Sequence, residues 1–349
     1  MQRRDFLALL AVGALPVSSA AERAEVRLLS AWAADEDGMR RFFAGRTGIN
    51  AALALPARGH AVFTHPLNSS IAYVCARRPG EYLIRFDSIT GKLLAQTEPD
   101  DQRRFEGHAV IDVPRNRLLA TESELDQGQG RIGLYDADSL QPLGEWPSGG
   151  IGPHELLWLE RNMLAVANGG ILTLPETGRI KRNLDAMEPS LVLLDGHDGR
   201  RLAKFTLPDR RLGIRHLARA ADGTLGVALQ VEGNVIAPPL ALWRAGTFRL
   251  AEADIAVAQS LGGYGAAIAA HGDRFAVTCT RGDRVSVWDT RGRHCGSIAM
   301  RKPSGIAALK TGWMVSNEFG ECWHVRAGDL HVVERYLAAG RRWDNHLSL

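Results

Sequence analysis

The chain has 349 residues, of which 45% are hydrophobic and 23% are charged, and its formal net charge is +3. This composition is typical of a globular protein with a sizeable core, long enough for one large all-β domain or two ordinary domains. The charge excess is too small to indicate nucleic-acid binding, and no basic run with interleaved aromatic residues supports it, so we do not expect nucleic acid as a partner.

The first residues have the pattern of an export signal. Arg3 and Arg4 precede an apolar run over residues 6–15, and small residues at 18–21 offer a cleavage site. The paired arginines resemble a twin-arginine signal. Ten apolar residues cannot span a bilayer as a helix, so we do not expect stable membrane insertion. We therefore predict a signal peptide at 1–21, a mature domain at 22–349 and a periplasmic location.

A histidine at the start of a short apolar strand recurs along the chain. The five histidines are His60, His108, His154, His216 and His346. Repeated units start near residues 59, 107, 153, 215, 264, 304 and 344, mostly 40 to 50 residues apart, and Asp/Gly turns separate the later strands of several units. A repeat of this length with four short strands is the signature of a β-propeller blade.

The two ends of the chain complement each other. The last unit keeps one strand, at 344–349, whereas three unassigned candidate strands near 26–32, 39–44 and 51–55 precede the first unit. Pairing the C-terminal strand with the N-terminal strands completes a seventh blade and hides the open edges. We therefore predict an all-β, seven-bladed β-propeller, closed in this way, that forms a single domain.

The topology of a blade predicts where the histidines lie. Adjacent strands are antiparallel, so the start of the innermost strand and the loop between the second and third strands share one end of the sheet. We expect the five imidazoles to converge at one mouth of the central channel, with these loops around them. The residues predicted to contact a ligand there are Glu122, Asn168, Gln230, Arg281 and Asn317, together with Arg215, which could hold a carboxylate or phosphate. The loop at 169–189 is long enough to form a lid.

The chemistry of imidazole favours a metal site. Neutral imidazoles are good ligands for Fe, Cu or Zn, and Glu155 or Asp344 could add a carboxylate, but the spacing does not choose among the metals. Glu155 is the candidate general base if the protein is an enzyme. In a regular strand, Glu155 and His154 would point to opposite faces, so an inter-blade salt bridge is an alternative role for Glu155. The histidines could also be purely structural and bind a neighbouring blade's backbone.

Four short motifs of the chain include histidines or follow the second strand of a unit. They are Gly-Pro-His-Glu at 152–155, Asn-Gly-Gly at 168–170, Arg-His at 215–216 and Asp-Asn-His at 344–346. With these motifs the sequence resembles a bacterial exported family, domain-of-unknown-function family 1513. The genes of this family typically lie beside those of imelysin-type periplasmic iron-uptake proteins and a di-haem oxidoreductase. The family has no established activity, so the resemblance implies an iron-related setting, with periplasmic iron-uptake proteins as partners.

These observations lead to three functional hypotheses. The first is a non-catalytic, monomeric periplasmic propeller that binds a metal ion or metal complex, iron-related, as an accessory to metal uptake. The second is a metal-dependent hydrolase or oxidoreductase that uses the same site. The third is a protein-interaction scaffold whose histidines are structural.

Overall fold

The computed structural model describes residues 27–173 and 180–349. The predicted signal peptide and the middle of the predicted lid lie outside the described residues. Within them, the chain forms seven four-stranded antiparallel sheets, one short α-helix, α1 (Ile255–Ser260), and 3-10 helices at Val113–Arg115, Glu160–Asn162 and Leu184–Ala186. None of the helices in these residues is both long and apolar enough to cross a membrane.

The sheets are the blades of a propeller, numbered here from the first complete one. The chain starts with β1 (Leu29–Glu36), β2 (Met39–Arg46) and β3 (Ala52–Leu55), which belong to blade 7. Blade 1 contains β4 (Gly59–His65), β5 (Asn68–Ala76), β6 (Leu83–Asp87) and β7 (Leu93–Thr97). Blade 2 contains β8 (Arg103–Asp112), β9 (Arg117–Glu124), β10 (Gly130–Asp136) and β11 (Pro142–Pro147). Blade 3 contains β12 (Pro153–Trp158), β13 (Met163–Asn168), β14 (Ser190–Asp195) and β15 (Arg201–Phe205).

The second half of the chain repeats the arrangement. Blade 4 contains β16 (Leu212–Arg219), β17 (Leu225–Val231), β18 (Leu240–Arg244) and β19 (Thr247–Leu250). Blade 5 contains β20 (Gly265–His271), β21 (Arg274–Cys279), β22 (Arg284–Asp289) and β23 (His294–Ala299). Blade 6 contains β24 (Pro303–Leu309), β25 (Gly312–Asn317), β26 (Glu321–Arg326) and β27 (Val332–Leu337). The last strand, β28 (Arg342–Ser348), returns to blade 7.

Blade 7 closes the ring as predicted. β28 is the innermost strand of this blade and pairs antiparallel with β1, with Leu29 opposite Ser348 and Ser30 opposite Leu347. The Ser30 hydroxyl also donates a hydrogen bond of 2.6 Å to the His346 carbonyl. The two ends of the chain therefore complete one sheet, and no blade is left with an unpaired innermost strand in the part that the structure describes.

The core lies between the blades. β14 shows how the sequence achieves this, because Leu191 and Leu193 pack towards blade 4, whereas Val192 and Leu194 pack towards blade 2. Successive residues of a strand point to opposite faces, so a strand with neighbours on both sides is apolar at every position. The outer strands, such as β15, alternate between exposed and half-buried residues because they meet solvent.

One irregularity is common to all seven innermost strands. Each contains a register shift near the same level of the channel, where extra residues bulge out of the ladder with the second strand. A β-bulge bends the strand and redirects the side chains beside it. All five histidines lie in or next to these bulges. The prediction that a histidine opens each of these strands is wrong for His108, His216 and His346. Their strands begin four or more residues earlier, β8 at Arg103, β16 at Leu212 and β28 at Arg342.

Candidate metal centre

The five histidines, which come from five blades, form one cluster inside the central channel. Around the ring, the distances between successive ring centroids are 4.5 Å for His346–His60, 5.0 Å for His60–His108, 4.7 Å for His108–His154 and 4.6 Å for His154–His216. The ring centroids of His216 and His346 are 5.0 Å apart, which brings the two ends of the series together. Four of the five side chains are buried, and that of His346 is half-buried. The cluster is thus inside the channel and not at an open rim.

His108 is the centre of the cluster. Its ring centroid lies between 4.6 and 5.4 Å from those of the other four histidines. His108 reaches this central position because two extra residues bulge out of β8 between Phe105 and Ala109. Gly107 has a φ of +104°, and a Cβ atom there would lie 2.6 Å from His60 Cδ2, so the position requires glycine.

Blades 5 and 6 bring small residues to the same level. Their bulges contain Ala266 in β20, and Ser304 with Gly305 in β24. Ala266 and Ser304 are buried. The histidines therefore come from five consecutive blades around the ring, and the remaining two blades have small residues at this level.

Two carboxylates orient two of the imidazoles. His60 Nδ1 donates a hydrogen bond of 2.8 Å to Asp344 Oδ1, and His216 Nδ1 donates one of 3.1 Å to Glu155 Oε2. Although burial opposes it, the hydrogen bond from His60 and the charges of Arg77 and Arg58 hold the pKa of Asp344 well below its usual range. The proton on Nδ1 leaves Nε2 of both rings as a potential ligand atom, which is the usual role of carboxylates behind metal-binding histidines.

Adjacent residues His154 and Glu155 both reach the cluster. His154 Nε2 lies 3.3 Å from His216 Nε2, and Glu155 contacts the other nitrogen of the same ring. Opposite faces were expected only for a regular strand, and β12 is not regular, because the extra residue between Pro153 and Leu156 breaks the alternation. The same Glu155 oxygen accepts a hydrogen bond from the Leu217 N–H at 2.8 Å, so Glu155 also links blades 3 and 4. Burial raises the pKa of Glu155 to about 8.

The imidazoles are neutral and incompletely hydrogen-bonded. Burial, followed by the charges of neighbouring side chains, holds the pKa values of His108, His154, His216 and His346 well below the usual value. Within the described residues, His108 Nε2, His154 Nδ1 and His346 Nε2 are buried without a hydrogen-bond partner. A buried nitrogen left in this way is costly and uncommon, so each of the three calls for an explanation.

The cluster offers two sets of three ligands. These are His60, His108 and His154, and His108, His216 and His346, with the ligand atoms of each set within 4.8 Å of one another. His154 and His216 belong to different sets, and their Nε2 atoms share a hydrogen bond of 3.3 Å. His108 is common to both sets.

A cavity of about 410 Å³ leads to the cluster. Its inner end is formed by Glu155 and the imidazoles of His108, His216 and His346. Its walls are apolar, and it extends along the innermost strands to Thr64 and the exposed Pro66. The cavity therefore approaches from the face opposite the loops that were expected to surround the site.

The loop side of the cluster is rich in arginine. Asp344 pairs with Arg58 at 2.5 Å and with Arg77 at 3.6 Å, and Arg78 lies 3.5 Å from Glu106. Arg215 is fully buried, and its Nε, Nη1 and Nη2 atoms have no hydrogen-bond partner in the described part of the chain. Burial, followed by the charge of Arg78, lowers the pKa of Arg215 to about 9. Sequence reasoning missed Glu106 and Arg58, although each immediately precedes a Gly-His pair.

The other five residues that were predicted to contact a ligand make contacts within their own blade or with a neighbouring blade. Glu122 accepts a hydrogen bond of 2.6 Å from the Tyr135 hydroxyl, and Asn168 bonds Ser148. Gln230 bonds the Gly265 carbonyl, Arg281 stacks on Tyr264, and Asn317 bonds the Arg301 carbonyl and Glu321. These contacts do not include the histidine cluster, because the side chains turn into the sheets and loops and not into the channel.

Fold and site together define a seven-bladed β-propeller with a buried histidine cluster in its channel. Residues 53–349 match the model of the family described as "Protein of unknown function (DUF1513)", and the chain belongs to this family. Among solved structures, the chain is similar to the computationally designed Ika8 protein, at 13% identity and a TM-score of 0.51, over 82% of this chain and 78% of that chain. This likeness shows the fold alone. A search of curated proteins found no match.

Proposed function

We propose that this protein binds a transition-metal ion, or a small complex of one, through the histidine cluster, and that it serves as an exported accessory of iron uptake. The observation that carries the proposal is the convergence of five imidazoles with three buried nitrogens that lack a partner. An ion bound to either set of three histidines would give buried ring nitrogens a partner and so offset the cost of burying them.

The electrostatics of the cluster support a cation. Metal ions bind the neutral form of imidazole. Burial lowers the pKa of four of the rings well below the usual histidine value, which favours this neutral form. The carboxylate of Asp344 lies behind His60, where it would stabilise a bound positive charge, and the Glu155 carboxyl group orients His216.

The choice of iron rests on the resemblance of the sequence to a family associated with periplasmic iron-uptake proteins. An all-imidazole donor set also suits copper and zinc, and copper binds such a set more tightly than iron does. The metal delivered in the native compartment therefore decides the occupant, and the protein must be tested after export.

The experiment is metal analysis of the natively exported protein, compared with His154→Ala and His216→Ala. We expect about one ion per chain in the parent and a loss of at least tenfold in affinity in each variant. His197→Ala is the matched control, because His197 is exposed in a turn. Retention of no metal above background, with unchanged affinity in the variants, would refute the proposal.

A second candidate function is metal-dependent hydrolysis or redox chemistry. The observation that favours it is the cavity, which joins Glu155 and three imidazoles to the surface. With its pKa raised to about 8, Glu155 could exchange a proton near neutral pH. Under this hypothesis Glu155→Gln keeps the metal but loses turnover of a screened substrate, whereas a purely binding protein shows no turnover in either form.

A further inference from the structure

Arg215 is the strongest unexplained group outside the proposed metal ligands. Its side chain is 1% exposed, and its three guanidinium nitrogens lack hydrogen-bond partners among the described residues. Burying a charge is costly unless it is paired. The guanidinium presents donors in a fixed planar fork, which matches the two oxygens of a carboxylate or phosphate.

The nearby carboxylates are already engaged. The charges of Glu106 and Glu232 reach Arg215, but Glu106 accepts a 2.6 Å hydrogen bond from Ser123 and pairs with Arg78, and Glu232 pairs with Lys181. Arg78, whose side chain is 9% exposed, is itself close enough to repel Arg215. An anion bound to Arg215 would offset this repulsion as well as supply the missing hydrogen-bond acceptors.

The backbone shapes the position of the Arg215 guanidinium. The backbone makes room for the unpaired cation, because Gly169 has no side chain and a Cβ atom there would lie 2.7 Å from Arg215 Cζ. The guanidinium thus has a shaped position beside the loop that follows β13.

We infer that Arg215, with the charge of Arg78 nearby, forms a binding site for a small oxyanion, a carboxylate or a phosphate, on the loop side of the histidine cluster. This site is separate from the proposed metal ligands and needs no metal to bind its anion. The anion supplies acceptors for the Arg215 nitrogens and relieves the repulsion between the two guanidinium groups.

The test is calorimetric titration of the full exported chain after metal has been removed and the chelator dialysed away. The probes are inorganic phosphate and acetate, with chloride at equal ionic strength as the reference. We expect saturable binding of at least one of the two oxyanions. The oxyanion that binds more tightly shows whether the natural ligand carries a phosphate or a carboxylate.

Three variants locate the site. Arg215→Met should weaken binding about tenfold or more, because it removes charge-assisted hydrogen bonds, and Arg215→Lys should weaken it less, because it keeps the charge but loses the fork. Gly169→Ala should also weaken binding, since its Cβ displaces the guanidinium. Gly328→Ala is the control, because a Cβ there meets nothing within 4 Å.

Two results would overturn the inference. One is that neither oxyanion binds more tightly than chloride, and the other is that Arg215→Met and Gly169→Ala bind it as the parent does. If Arg215→Met does not fold, Arg215→Lys and Gly169→Ala still decide the question. Because the titrations use metal-free protein, failure of the metal proposal leaves their interpretation unchanged.

Discussion

The substitution His108→Gln should make folding less sensitive to acid. His108 is buried at the centre of the cluster, and burial, followed by the charges of His346 and His60, holds its pKa well below 6.5. In the unfolded chain a histidine titrates near 6.5. Below that pH, the unfolded state therefore binds a proton at this position that the folded state does not, and stability falls as the pH decreases.

The size of the effect follows from this difference. Between pH 7.5 and pH 5.5, protonation of one histidine in the unfolded chain costs the folded state about 1.4 kcal/mol. Glutamine cannot titrate, so the difference in unfolding free energy between His108→Gln and the parent should shift by that amount in favour of the variant. Measuring the difference between the two proteins cancels the opposing contributions of buried carboxyl groups such as Glu155 and Glu122, whose pKa values are raised.

The assay is urea unfolding of the metal-free parent and variant at both pH values. Gly328→Ala changes no titratable group, so its difference from the parent should not change with pH. A difference for His108→Gln that is also independent of pH would show that His108 is not held neutral by burial. It would then contradict the packing on which the metal proposal depends.

Three further predictions follow from the same geometry. Asp344→Asn should lower metal affinity about 10- to 100-fold, because it removes the charge that orients His60, and equal dissociation constants in a metal titration would contradict this. Gly107→Ala should lower the unfolding midpoint and weaken metal binding, because alanine is strained at a φ of +104° and its Cβ would clash with His60. The control Gly328→Ala should have neither effect, and a Gly107→Ala protein that matches the parent would refute the argument. Deleting residues 344–349 should abolish cooperative unfolding, measured by circular dichroism, because blade 7 loses most of its innermost strand. A truncated chain that unfolds like the parent would show that closure is dispensable.

The fold could be predicted from the sequence because its determinants are local and repeated. Strand-length apolar runs and Asp/Gly turns define each blade, and the leftover strands at the two ends of the chain can pair only with each other. The convergence of the five histidines follows from that topology. It needs only the rule that innermost strands line the channel, and no knowledge of any individual side chain.

The details of the site could not be predicted because they depend on the bulges. Regular alternation would send Glu155 away from the cluster, and the single extra residue in β12 reverses this. The cavity that leads to the site could not be predicted from the sequence either. The cavity extends along apolar residues such as Val62 and Val110, which in the sequence look the same as core residues.

Blades 5 and 6 show that the histidines are not needed to build the channel. At the level of the cluster these blades have Ala266 and Ser304, which are buried without difficulty in the same bulged geometry. An imidazole at the same level introduces polar nitrogens, three of which lack a partner, and a buried nitrogen without a partner costs stability in the metal-free protein. A ligand that binds only the folded state offsets such a cost in proportion to the logarithm of its concentration relative to its dissociation constant. This polar cost, at the centre of a fold that does not require it, is the physical reason for proposing a metal site at the cluster.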